Sequence, residues 1–164
     1  MLTVGGHNAS FHTGPMLTVP LDVRRGNYGV PLTSMQLSGR VIHEGFGHTM
    51  IDSGTTYTYL KTAAYRALRD AITSHCQGNA NCGATNVGDC WKVPSGRAGL
   101  DRFPTIDVVF GGVTTAWVPQ AYLFSKDKPE KRWCYGFADD GPRADTVLGA
   151  SWMLHKDIII DVAR

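Results

Sequence analysis

The sequence predicts a mainly β domain with one principal helix, and three observations carry that expectation. Glycine supplies 19 of the 164 residues and proline 8, so the chain turns often, which favours many short strands over long helices. Several segments alternate apolar and polar residues with the period of two that a half-buried strand requires. A single stretch, Lys61 to Ser74, instead repeats its apolar residues at helical spacing. With 43% hydrophobic residues, the chain can build one real core, and wholesale disorder is excluded.

Taken in order, Tyr28 to Leu37 reads as a strand, with Pro31 pointing to an edge or a bulge because proline cannot donate to a ladder. Gly39 to Ile42 and Thr49 to Ile51 flank the glycine-containing turn Glu44-Gly45-Phe46-Gly47, which predicts a hairpin. In the helix from Lys61 to Ser74, Ala64, Leu68, Ala71 and Ile72 share one face, opposite Lys61, Arg66 and Asp70. From Ser74 to Leu100 the chain is rich in glycine and asparagine and holds three cysteines, so it reads as a stapled loop. Thr105 to Phe110 and Val113 to Val118 form a hairpin about Gly111-Gly112, with Ile106, Val108 and Phe110 on one face. Lys126 to Arg132 is a charged surface loop. Val147-Leu148-Gly149 and Asp157 to Val162 supply the last strands.

Charge narrows the function classes. Sixteen basic against fourteen acidic residues give +2, and no basic stripe interleaves with aromatics, so nucleic acid is not an expected partner. The eighteen-residue uncharged run from Val108 to Ser125 has the length of a spanning helix, but Gly111, Gly112, Pro119 and Gln120 make it a strand-turn-strand. No membrane segment is expected. Met1 to Gly6 lacks a basic region and a long apolar core, so it does not read as a signal peptide.

The four cysteines, Cys76, Cys82, Cys90 and Cys134, contain no Cys-x-x-Cys pair, which argues against a zinc ribbon or a thioredoxin-type site. Three pairings are open. Cys76 with Cys82 and Cys90 with Cys134 is the favoured set, and in the chain-entropy model these loops contribute roughly 2.4 and about 4 kcal/mol. The alternative is four free thiols in a cytosolic protein. Asn8-Ala9-Ser10 is a glycosylation sequon, in agreement with secretion.

Three chemical signals fail on physical grounds. His43-Glu44-Gly45-Phe46-Gly47-His48 places its histidines five apart, which splays them on a helix, and two glycines oppose the helix itself. No metal or cofactor is expected there or elsewhere. A Gly-x-Ser-x-Gly elbow is missing, and so is either phosphate-loop glycine pattern. The informative segment is Met50-Ile51-Asp52-Ser53-Gly54-Thr55-Thr56. Apolar residues lead a strand into a carboxylate at a tight turn; Gly54 permits close backbone approach, and the Thr55 hydroxyl can bond the carboxylate. Alone, Asp-Ser-Gly is a common turn.

Its company changes that reading. Leu2-Thr3-Val4-Gly5-Gly6, Tyr28 to Met35, Asp52 to Thr56, Phe103 to Phe110, Cys134-Tyr135-Gly136-Phe137, Val147-Leu148-Gly149 and Asp157 to Asp161 occur in order over nearly the whole chain. Together they resemble the C-terminal lobe of the pepsin-family aspartic proteases. The extra cysteines and the run Asp52 to Tyr59 are similar to the plant nucellin-like and plasmepsin V-like branches. The resemblance implies a pepsin-like acid protease lobe over residues 1–164, of the double-psi barrel or sandwich type, and an aspartic endopeptidase acting on peptide or protein substrates.

The resemblance also implies roles. Asp52 would be one of two catalytic carboxylates, Ser53 a hydroxyl gripping the other lobe, and Thr55 the partner of the Asp52 carboxylate. Gly54 and Thr56 would line the substrate backbone, and Cys134 would close the lobe's disulfide. Two carboxylates holding one water share a proton because both cannot ionise at such range. No second Asp-Thr-Gly or Asp-Ser-Gly occurs; Asp140-Gly141 lacks the apolar lead-in, and no flap tyrosine stands out. The expectation is therefore a lobe inactive alone, with its N-terminal partner missing and its last strand truncated. It would belong to the secretory pathway and reside in a vacuole, a lysosome or outside the cell. A non-catalytic pepsin-like module binding protein or carbohydrate is the alternative, and a homodimer joining two Asp52 residues a further, minor one.

Overall fold

The computed structural model describes residues 10, 14–78, 81–126 and 131–161. The opening segment Leu2 to Gly6, Asn8 of the sequon, the middle of the charged loop after Lys126, and Val162 lie outside them. Thirteen strands among the described residues form three sheets. The first is mixed, in the order β1 (Tyr28–Gly29), β4 (Thr49–Ile51), β13 (Thr146–Leu148), β5 (Thr58–Leu60), β12 (Phe137–Asp139). The second is antiparallel: β3 (Arg40–Glu44), β2 (Leu32–Leu37), β8 (Ile106–Phe110), β9 (Val113–Trp117). The third, also antiparallel, runs β10 (Leu123–Ser125), β11 (Arg132–Tyr135), β7 (Cys90–Lys92), β6 (Thr85–Val87).

Pro31 divides the strand expected from Tyr28 to Leu37 into two. β1 joins the first sheet and β2 the second, with a shift of register between Leu32 and Ser34. The hairpin expected across Glu44 to Gly47 does not form. The reversal falls instead at Ser38-Gly39, where φ values of 52° and 77° make the two-residue turn whose twist matches its strands, and Leu37 pairs with Arg40. The chain after β3 then buries Phe46, whose carbonyl accepts the Thr146 hydroxyl at 3.2 Å. That anchor carries it across the core to β4 rather than back beside β3.

The helix α1 spans Thr62–Gln77 and buries Ala64, Leu68, Ile72 and Cys76, with Ala71 half-buried at the margin of the face. The stapled segment after it holds β6, β7 and a 3-10 turn at Gly96–Arg102, so it is more ordered than a loop. Its staples are the disulfides Cys76–Cys82 and Cys90–Cys134. The hairpin β8–β9 pairs Phe110 with Val113 about Gly111-Gly112, and Ile106, Val108 and Phe110 are buried as their alternation requires. Asp157 to Asp161 is not a strand: Ile158 packs on the core while Ile159 and Ile160 stand 40% and 38% exposed. A strand needs a neighbouring edge, and no ladder among the described residues reaches this segment.

One cluster of buried side chains draws on all three sheets, with Trp91, Trp117 and Tyr122, the last residue of the short helix α2 (Pro119–Tyr122), fully enclosed. These three aromatics each find a partner for the polar tip, whereas the buried Trp152 Nε1 has none. Trp91 Nε1 donates to the Tyr135 hydroxyl at 2.8 Å, and the Tyr122 hydroxyl donates to the Pro104 carbonyl at 2.6 Å. The feature that sets up the site is the insertion of β13 between β4 and β5, two strands consecutive in the chain. The β4–β5 connection, residues 52–57, must therefore arch over the end of β13.

Candidate active site

Asp52 is the first residue beyond β4. Its amide donates to the Leu148 carbonyl of β13 at 3.1 Å, so the parallel pairing of Ile51 with Leu148 holds its backbone. The chain then turns at once. The Thr55 amide reaches the Asp52 carbonyl at 3.3 Å, the Gly54 amide donates to Asp52 Oδ1 at 2.8 Å, and the Thr55 hydroxyl donates to Oδ2 at 2.5 Å. A Cβ on Gly54 would stand 3.2 Å from Oδ1, tighter than side chains tolerate comfortably. The side chain itself is half-exposed.

Both carboxyl oxygens thus receive a hydrogen bond that favours the charged form. The Thr55 hydroxyl first, and the Gly54 amide second, hold the Asp52 pKa below its ordinary value of 3.8. An ionised carboxylate can accept a proton from water. Substituting Thr55→Val is expected to raise the Asp52 pKa. A depressed native pKa stabilises the fold above the unfolded-state value, and this contribution is lost as pH falls through the native value. The variant should therefore be less stable at neutral pH, with the gap closing in acid; unfolding measured across this range tests it, and a gap constant with pH counts against the bond.

The arch is braced from behind. β13 ends at Leu148, and Gly149 leads directly into the short helix α3 (Ala150–Met153). The Ala150 amide donates to the Thr55 carbonyl at 2.8 Å and the Ser151 amide to the Thr56 carbonyl at 3.0 Å. A Cβ on Gly149 would collide with the Tyr57 carbonyl oxygen and lie 2.6 Å from that of Thr55, so the close crossing demands glycine. Of the residues singled out in the sequence, Asp52, Gly54 and Thr55 are joined by direct bonds. Ser53 and Thr56 lie exposed on the same arch. The four cysteines belong to other elements. Ala150 and Ser151 escaped sequence reasoning; the run of small residues Gly149-Ala150-Ser151 was the available signal.

Asp139 shares only the glycine half of this arrangement: Oδ1 alone takes both of its bonds, and the hydroxyl comes from a residue distant in sequence. It ends β12, accepts the Gly141 amide at 2.9 Å and the Thr62 hydroxyl at 2.7 Å, and these bonds, Thr62 foremost, lower its pKa. It cannot serve beside Asp52. β4 and β13 run parallel, β13 and β5 antiparallel, β5 and β12 parallel, so the C-terminal ends of β4 and β12 point to opposite edges of the sheet. The two histidines of the dismissed motif also diverge. The His43 ring packs edge-on to Phe46 with centroids 5.1 Å apart, while His48 Nε2 contacts the Asn27 side-chain oxygen at 3.1 Å.

Residues 27–164 match the family described as xylanase inhibitor C-terminal. The chain belongs to that family. Its relationship is to the C-terminal lobe of pepsin-like aspartic proteases. The chain is similar to aspartic proteinase 36 of Arabidopsis thaliana, with 29% identity over 153 residues covering 87% of this chain and 30% of that protein. Aspartic proteinase PCS1 of the same plant is 31% identical over 119 residues, covering 59% of this chain and 26% of its own. The chain thus spans under a third of the length of these relatives. The crystal structure of basic 7S globulin from soybean shares the fold, with a TM-score of 0.62 at 20% identity, over 82% of this chain and 36% of that one. The two closed disulfides agree with an oxidising, secretory route.

Proposed function

We propose that this chain is one lobe of an aspartic endopeptidase and supplies Asp52 as one of two catalytic carboxylates. The observation that carries the reading is the Asp52 carboxylate, presented half-exposed at a strand end with both oxygens hydrogen-bonded from its own turn. The second carboxylate comes from an amino-terminal lobe. One ionised carboxylate takes a proton from a shared water, whose oxygen bonds to the peptide carbonyl carbon. The protonated carboxyl gives its proton to the carbonyl oxygen. The tetrahedral intermediate then breaks its C–N bond, and a proton passes to the leaving amine. Ser53 grips the other lobe, while Gly54 and Thr56 line the substrate backbone. The substrates are peptides or proteins met in a vacuole, a lysosome or outside the cell.

The test is peptide cleavage at about pH 4 to 6, where a shared proton between two carboxylates is retained, by the chain alone and combined with an amino-terminal lobe carrying the first aspartate. Cleavage only in the combination is expected. Cleavage by the strictly monomeric chain overturns the mechanism, and a dimer seen in sedimentation would point to two copies of Asp52.

The family description favours a second reading, a non-catalytic module that binds a protein or carbohydrate. A xylan-hydrolysing enzyme is the probe. Saturable binding of it by the chain, unchanged in Asp52→Asn and without peptide cleavage by the combined lobes, supports this reading; no binding removes it.

A further inference from the structure

Behind the arch, a pair of buried hydroxyls joins β5 to α3. Thr58 Oγ1 and Ser151 Oγ lie 3.0 Å apart, and their residues are 0% and 6% exposed. The Ser151 carbonyl is held as well, accepting the Trp117 indole N–H at 3.0 Å from a fully enclosed ring. Packing leaves no slack on this side. The Thr58 amide donates to the Gly136 carbonyl at 3.0 Å, and a Cβ on Gly136 would meet the Ser151 Cβ at 3.0 Å. On its other side, the same Ser151 presents its amide to the Thr56 carbonyl, next to the Ala150 amide on Thr55.

We propose that Ser151 is a positioning residue for Asp52, its hydroxyl registering α3 against β5 so that the helix amides hold the Thr55–Thr56 backbone. The proposal rests on the reading of Asp52 as the reactive carboxylate. Its physical chain is short. The Thr58 hydroxyl fixes Ser151; the amides of Ala150 and Ser151 fix the Thr55 and Thr56 carbonyls; the Thr55 backbone aims its hydroxyl at Asp52 Oδ2. A bond of 2.5 Å to an ionised oxygen is steeply sensitive to such aim. Loss of the Ser151 hydroxyl leaves Thr58 buried without its partner and removes the side-chain bond that registers α3 on β5.

The experiment follows the side-chain carboxyl carbons of Asp52 and Asp139 by NMR through an acid titration of the full chain. It compares the wild type with Ser151→Ala, the near-isosteric Thr58→Val and the double variant. Asp139 is the internal reference, because it too accepts a glycine amide and a threonine hydroxyl but lies at the opposite sheet edge. In each single variant Asp52 should titrate higher by about half a pH unit, with Asp139 unmoved. The double variant separates positioning from bulk stability. Replacing both hydroxyls leaves no orphan, so its unfolding midpoint should recover towards wild type, while the Asp52 titration stays raised. An unchanged Asp52, a parallel shift of Asp139, or a return of Asp52 to its wild-type titration in the double variant overturns the proposal. The readout needs no peptide hydrolysis, so a failure of positioning is told apart from a failure of the combined lobes to cleave.

Discussion

Replacing Asp52 with asparagine is expected to lower peptide cleavage by the combined lobes by about a thousandfold or more, the scale of losing a positioned acid–base group. The substitution keeps the volume and removes the charge. It also sets a donor where only acceptors now stand, because both carboxyl oxygens accept hydrogen bonds, from the Gly54 amide and the Thr55 hydroxyl. With the amide oxygen kept on the Gly54 N–H, the new NH2 faces Thr55 Oγ1, and the hydroxyl must turn from donating to accepting. The side chain is half-exposed, so the fold should survive, and circular dichroism with unfolding curves can establish that the loss is chemical. Cleavage that persists in Asp52→Asn within a factor of ten removes Asp52 from the mechanism.

The second large effect is structural. Gly149→Val is expected to destabilise the chain by about 3 kcal/mol, at the upper end for overpacking. The new Cβ meets the carbonyl oxygens of Tyr57 and Thr55, which are backbone and cannot rotate away. Relief requires β13 to withdraw from the arch, and this breaks the amide bonds from Ala150 and Ser151. For a chain of this length the midpoint of thermal unfolding should fall by about 6 to 12 °C. A midpoint within about 2 °C of wild type, less than 1 kcal/mol on this scale, would show that the crossing has room.

Much of the fold was legible because its signals are local. The apolar face of α1 repeats at 3.6 residues, and the β8–β9 hairpin alternates about two glycines; both elements formed as their patterns require. The expected hairpin across Glu44 to Gly47 failed because a glycine turn states that the chain bends, not where the next strand lands. The landing was decided by Phe46, whose burial and carbonyl bond to Thr146, a hundred residues away in sequence, belong to tertiary packing. Likewise Asp157 to Asp161 has strand-like composition, yet a strand exists only where an edge is available to pair with it.

By itself, the sequence determined that a carboxylate would sit in a tight turn after an apolar strand, with a glycine and a hydroxyl placed to serve it. The Asp52 bonds to Gly54 and Thr55 span two and three residues, so local chemistry suffices to write them. Only the tertiary structure decided what holds that turn in place and which acid can join it. The brace comes from Gly149, Ala150 and Ser151, nearly a hundred residues downstream, because β13 inserts between β4 and β5. Asp139, which also accepts a glycine amide two residues on and a threonine hydroxyl, is turned to the opposite edge by strand direction alone. Hydrogen bonds within a turn follow from residue types a few positions apart, whereas strand order and direction follow from how distant segments bury their apolar faces together.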